Sequence, residues 1–159
     1  QPESEPFFHY GLSLKHKHLK EIVNYGLLKK VPIFCPSVGT FPQGMTVSIP
    51  IHFEWCGKDI SGEKIRSVLY NWYKDSNFIS VKSLNNNSGL TKKGFLRPDI
   101  LVGSNKIEIS IFSNEESKQA WIIAQLDNLG KGASGSAVQN MNLRFGFDEN
   151  LGTSNLINV

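Results

Sequence analysis

Hydrophobic and polar positions alternate most cleanly from residue 46 to 55. There Val47, Ile49, Ile51, Phe53 and Trp55 interleave with Thr46, Ser48, Pro50, His52 and Glu54. A period of two predicts a strand with one buried face. Pro50 has no N–H to give to a ladder, so that strand lies at a sheet edge near the proline, or the proline falls where its missing N–H faces away from a partner. Gly57 ends the strand, and Ser61 is positioned to cap a helix in which Ile65, Val68, Leu69 and Trp72 recur at i, i+3, i+4 and i+7. That stripe predicts one helix face against the sheet, closed by the polar residues 75–77.

Weaker patterns fill in the rest. Phe7, Phe8 and His9 read as a short strand ending at Gly11, and residues 12–22 lead into a helical pattern with Leu19, Ile22 and Val23 on one face and Gly26 as its stop. Residues 31–34 read as a buried strand, followed by a breaker-rich loop over 36–44. Residues 78–81 form a further short strand and residues 85–89 a polar turn. Ile107, Ile109 and Ile111 alternate with Glu108 and Ser110; a turn at 114–116 and a second apolar run over 119–126 make a hairpin. A glycine-rich turn at 130–135 then feeds a helix over 134–145, with Val138, Met141 and Phe145 as its apolar positions. The class is α+β, a mixed, mostly antiparallel sheet with helices on one face. No internal repeat is present.

Composition narrows the function classes. The 159 residues carry 17 Lys+Arg against 14 Asp+Glu, a net charge of +3 with no long basic block, which argues against a nucleic-acid binder. At 40% hydrophobic and 19% charged residues the chain suits one ordinary globular domain and not a disordered one. No run reaches the roughly 18 apolar residues of a membrane span, and the polar start is not a signal peptide, so a cytoplasmic location is expected. Cys35 and Cys56 sit in apolar stretches and are expected to be reduced, small and hydrophobic. Two cysteines build neither a disulfide framework nor a zinc site, and no metal is expected.

Three motifs carry candidate chemistry. Residues 130–135 match G-x-G-x-x-G between a predicted strand and a predicted helix, but no following strand or acidic partner completes a dinucleotide unit. What remains is a helix N-terminus with free N–H groups, flanked by Lys131 and Ser134, able to hold an anion, or a plain glycine turn with an N-cap. His16 and His18 lie two apart, with Glu21 three further on, close enough to orient an imidazole used as acid or base; solvated surface histidines are the simpler reading. Residues 57–64 lack the ending of a phosphate-binding P-loop, and Ser134 falls one residue short of a nucleophile elbow.

Residues 127–142, Asp-Asn-Leu-Gly-Lys-Gly-Ala-Ser-Gly-Ser-Ala-Val-Gln-Asn-Met-Asn, closely resemble the C-terminal signature of the N-acetyl-gamma-glutamyl-phosphate reductase family. The family's H-x-H-x-P-E-I motif is echoed by His16, His18, Glu21 and Ile22, with Lys20 in place of the proline. Its proline-containing loop is echoed by residues 34–44, with Gln43 where many members have Arg, and Ser136 stands where Gln is usual. Gly103, Ser104, Asn105 and Lys106 match a Gly-Ser-Asn-basic segment, so the resemblance runs from about residue 10 to 149.

The resemblance implies the C-terminal domain fold of glyceraldehyde-3-phosphate dehydrogenase-like reductases. It implies residues 1–127 as a mixed-sheet catalytic and dimerisation domain, and residues 128–159 as a glycine-rich turn and returning helix. That helix would pack on a dinucleotide-binding domain preceding Gln1, which would also carry the nucleophilic cysteine of an Asn-Pro-Gly-Cys motif. The implied reaction is the NADPH-dependent reduction of N-acetyl-glutamyl 5-phosphate to the semialdehyde in arginine biosynthesis, with loss of phosphate, and the chain alone would be inactive. His16 would polarise or protonate the carbonyl. His18, Glu21, Asn105, Lys106 and Lys131 would contact substrate; Gly132, Ser134, Gly135 and Asn140 would lie beside NADP. A homodimer is implied through the sheet around residues 47–55. A non-catalytic dimerising or regulatory module of the same fold is the alternative, and an aspartate-semialdehyde dehydrogenase relative a more distant one.

Overall fold

The computed structural model describes residues 7–153, which fall in two compact units divided between Pro42 and Gln43. Length alone predicted one. In the first unit, β1 (Phe7–His9) pairs antiparallel with β2 (Ser37–Gly39), and α1 spans His18–Tyr25. None of the residues of α1 is buried, so this unit has little core of its own.

One expectation fails in this unit. Residues 31–34 are not a buried strand: Ile33 is 82% exposed, and the strand lies instead at Ser37–Gly39, inside the breaker-rich loop. Pro32 lies inside the apolar run and Pro36 two residues beyond it, and each removes a donor a ladder would need. The Pro36 carbonyl accepts from the Tyr10 N–H at 3.1 Å, and pairing begins only beyond it. α1 carries Leu19, Ile22 and Val23 and ends at Gly26, as the pattern predicts, and residues 12–17 only lead into it. Leu14, at φ +56°, closes a turn onto the Gly11 carbonyl, and such a left-handed residue cannot continue a helix.

The second unit is a four-stranded sheet in the order β3 (Met45–His52), β6 (Gln119–Leu126), β5 (Ile107–Asn114), β4 (Ile79–Val81). The first three are antiparallel and β4 runs parallel to β5, so the sheet is mixed as expected. Pro50 does sit on an edge strand, opposite Trp121. The strand stops at His52, however; residues 53–55 turn into a 3-10 segment that sends the Phe53 side chain into the core.

One sheet face carries Ile109, Ile111 and Ala120, all buried, with Ile79, Val81, Ile107, Ile122 and Ala124 partly buried around them. α2 (Gly62–Tyr73) packs there, its start capped by the Ser61 hydroxyl, which accepts the Lys64 N–H at 3.1 Å. The inward stripe is Ile65, Leu69 and Tyr73, partly buried at i, i+4 and i+8. Val68 and Trp72, placed in the stripe by the sequence pattern, are 64% and 80% exposed. α2 lies over β4 and β5, and its other apolar flank, Val68 and Trp72, is left exposed. For the same reason Val47 and Ile49 of β3 are half-exposed, so β3 lacks the closed inner face its alternation predicted.

Other expectations meet the same fate. Both cysteines are free and exposed, not buried hydrophobes. In α3 (Gly135–Phe145) the buried positions are Gly135 and Asn142, whereas Met141 and Phe145 are exposed. No helix among the described residues is long and apolar enough to cross a membrane.

Candidate functional site

The 127–142 signature begins where β6 ends. Asp127 is 1% exposed, and its carboxylate accepts from Gln43 Nε2 at 2.7 and 2.8 Å, from the Gly103 N–H at 2.7 Å and from the Leu129 N–H at 2.9 Å. Burial pushes this carboxyl up. The Gln43 amide and the Gly103, Gly130 and Leu129 N–H groups outweigh that effect and hold it below the usual aspartate value. Beside it, Asn128 Oδ1 accepts the Gly44 N–H at 2.8 Å. Two consecutive side chains thus tie the loops at 43–44 and 103 to the end of β6.

Residues 130–135 are not a glycine turn with free donors. Gly130–Ser134 forms a π-helical turn that runs directly into α3. The Gly132 N–H donates to the Asp127 carbonyl at 2.8 Å, the Ser134 N–H to the Leu129 carbonyl at 3.2 Å, and the Gly135 N–H to the Gly130 carbonyl. Ser134 Oγ also donates to the Leu129 carbonyl, at 2.8 Å. The anion at this helix start is Asp127 itself. The glycines serve close packing: a Cβ on Gly130 would stand 2.9 Å from the Ser104 carbonyl, and one on Gly135 would stand 2.9 Å from Asn105 Cγ.

Asn105 and Lys131 converge on one acceptor. Asn105 is buried and its Nδ2 donates to Gln139 Oε1 at 3.3 Å; Lys131 Nζ donates to the same oxygen and lies 5.1 Å from the centroid of the Phe78 ring. Gln139 Nε2 donates onward to Glu149 Oε1 at 2.6 Å, and Glu149 Oε2 accepts from Asn77 Nδ2 at 2.7 Å. Desolvation lowers the Lys131 ammonium below the usual lysine value, against an opposing pull from the Glu149 charge. Asn105 Oδ1 has no hydrogen-bond partner among the described residues. Lys106 and Asn140 are exposed nearby in sequence, on the loop before β5 and on α3.

In the first unit the two histidines come together. The His16 and His18 rings are 4.6 Å apart between centroids, and His16 also lies 5.0 Å from Phe34 and 6.0 Å from Tyr10. Glu21 is on the first turn of α1, exposed, and no hydrogen bond joins it to His18. Sequence reasoning missed Asp127 as a hub and missed Gln139 and Glu149. The one available signal was polar residues at the end of an otherwise apolar strand, where a buried carboxylate needs converging donors from other segments.

The mixed sheet and the helices of the second unit make an α+β fold that fits the C-terminal domain of dehydrogenases. The chain belongs to the semialdehyde dehydrogenase dimerisation-domain family, whose model matches residues 2–128. It is 42% identical over 147 residues to the N-acetyl-gamma-glutamyl-phosphate reductase of Trichormus variabilis, an alignment covering 92% of this chain and 46% of that protein. It is similar at 41% over 147 residues to N-acetyl-gamma-glutamyl-phosphate reductase 2 of a Nostoc species, again 92% and 46%, and at 40% over 138 residues to the Rhizobium rhizogenes reductase, 87% and 44%. The chain therefore spans somewhat under half the length of these curated relatives.

Proposed function

We propose that this chain is the catalytic and dimerising part of an NADPH-dependent N-acetyl-gamma-glutamyl-phosphate reductase of arginine biosynthesis. The reaction turns N-acetyl-glutamyl 5-phosphate into the semialdehyde with release of phosphate. The observation that carries the proposal is identity of 40–42% to reductases of that name over 87–92% of the chain. In this reading His16 polarises or protonates the reacting carbonyl, attacked by a cysteine thiolate from outside the chain. His18 and Glu21 orient substrate, and Lys106 and Lys131 supply positive charge for its phosphate or carboxylate, with Asn105 holding the Gln139 amide that positions Lys131.

The nucleotide supplies hydride when bound. The N–H groups of Gly132, Ser134 and Gly135 are all committed to carbonyls of this chain, so they do not form a pyrophosphate cradle. We place these residues, with Asn140, alongside NADP, and leave its phosphates to a dinucleotide-binding domain on which residues 128–159 would pack. The homodimer forms through the sheet: β3 offers half-exposed Val47 and Ile49, and Pro50 on its outer edge disfavours strand-to-strand pairing there. A cytoplasmic enzyme fits this chemistry. The test is NADPH oxidation by a protein joining this chain to such a domain. Activity on N-acetyl-glutamyl phosphate that collapses in His16→Ala is expected; turnover confined to aspartyl phosphate, or none, refutes the assignment.

A further inference from the structure

Gln139 stands between two opposite charges that do not touch. Its Oε1 accepts from Lys131 Nζ and from Asn105 Nδ2, the latter at 3.3 Å, and its Nε2 donates to Glu149 Oε1 at 2.6 Å. An ammonium on one side and a carboxylate on the other force this orientation of the amide, because only its oxygen can face the first and only its NH2 the second. Asn77 Nδ2 donates to the other Glu149 oxygen at 2.7 Å, and Asn142 Nδ2 holds the same segment through the Glu149 and Leu151 carbonyls, at 3.3 and 2.8 Å. Glu149 is therefore anchored apart from Lys131, and no carboxylate among the described residues forms an ion pair with that lysine. One of the three ammonium donors goes to Gln139 and the Phe78 ring flanks the group at 5.1 Å; no other acceptor among the described residues takes the remaining two.

We propose that Gln139 is a positioning residue that keeps Glu149 off Lys131, so that the ammonium meets an incoming phosphate group with its charge unquenched. A carboxylate in direct contact cancels most of the field an ammonium projects, whereas a neutral amide oxygen accepts one N–H and leaves the charge in place. A carboxylate at 139 with an amide at 149 would serve every one of these partners equally well, so hydrogen bonding alone does not explain why the amide lies beside the lysine. With the charges held apart, Lys131 is aimed by Gln139 and still positive toward an anion. Glu149, one amide further off, supports its protonation against desolvation. That the phosphate belongs to an acyl phosphate rests on the reductase reading; the separation of charges does not.

The test is binding of inorganic phosphate to the 159-residue chain at pH 7, read from the Lys131 side-chain signals by NMR, with urea unfolding run beside it. The double variant Gln139→Glu/Glu149→Gln keeps the net charge and every hydrogen-bond partner, and brings the carboxylate onto Lys131. Its unfolding midpoint should match that of the unaltered chain, and its phosphate affinity at Lys131 should fall about tenfold, the scale of one partly buried charge contact. Glu149→Gln alone removes the carboxylate and should bind phosphate at least as tightly as the unaltered chain, whereas a merely structural network would lose affinity. No response of Lys131 to phosphate in the unaltered chain, equal affinity in the double variant, or weaker binding in folded Glu149→Gln overturns the proposal. If the double variant does not fold, Glu149→Gln against the unaltered chain decides. None of these readouts uses turnover, so their failure leaves the reductase assignment standing, and loss of that assignment changes the anion's source and not its binding.

Discussion

Replacing Asp127 with Asn is the sharpest probe of the second unit. The carboxylate takes hydrogen bonds from one side-chain amide and from the Gly103, Leu129 and Gly130 N–H groups while 1% exposed. A carboxamide of the same shape keeps one accepting oxygen and turns an NH2 group toward the remaining donors. At least two buried donors then lose their acceptor, at about 1–3 kcal/mol each, so Asp127→Asn is expected to cost about 3–4 kcal/mol. The pH dependence follows from linkage. The folded-state value of Asp127 lies below the unfolded one, so its contribution is complete above about pH 4–5 and is lost as pH falls through the folded value. Urea unfolding followed by tryptophan fluorescence reports on this unit, because Trp55, Trp72 and Trp121 all lie in it. The unaltered chain should lose stability steeply on acidification below about pH 4, and Asp127→Asn should be weaker at neutral pH with a shallower acid slope. A loss below about 1 kcal/mol at pH 7, or an acid slope matching the unaltered chain, would refute the hub.

Other substitutions test the packing and the polar network. Leu69→Ala should cost about 2–3 kcal/mol in urea unfolding, whereas Trp72→Ser on the same helix should change stability by less than about 0.5 kcal/mol, because Trp72 is exposed. Gly135→Ala drives a Cβ against Asn105 and the Gly130 carbonyl; a loss of about 2 kcal/mol or more is expected, and a neutral result would mean the α3 start is not held this closely. Ser61→Ala should cost about 1 kcal/mol through loss of the α2 cap. Glu149→Gln removes the charge that opposes desolvation of Lys131, so carbon NMR titration of the lysines should show Lys131 deprotonating at lower pH than in the unaltered chain.

Elements with strong local patterns were legible in sequence. The β5–β6 hairpin, the Ser61 cap and the edge position of Pro50 depend on neighbours a few residues away or on a missing N–H, and these the chain carries wherever it folds. The face of α2 was legible only in part. Ile65 and Leu69 were placed inward correctly, but the choice between Tyr73 and the pair Val68 and Trp72 depends on how far the sheet extends beneath the helix. The apolar run at 31–34 misled because hydrophobicity alone does not distinguish a strand from an extended segment whose donors are removed by prolines.

The candidate site divides along the same line. Residue types and order, His16 before His18 and the 127–142 signature, were readable directly and were enough to indicate a family. The glycine pattern at 130–135 looked like a place for a phosphate, yet its donors are consumed by a π-helical turn, and the anion at that helix start comes from the chain itself. No local rule predicts that Gln43 and Gly103 converge on Asp127, because the separations are 84 and 24 residues and only the register of β3, β5 and β6 brings them together. By itself the sequence determined which segments could be strands and helices and which chemistry was present. The tertiary structure decided which polar groups are buried and therefore must bond to one another, since burial is what turns a nearby donor into an obligatory one.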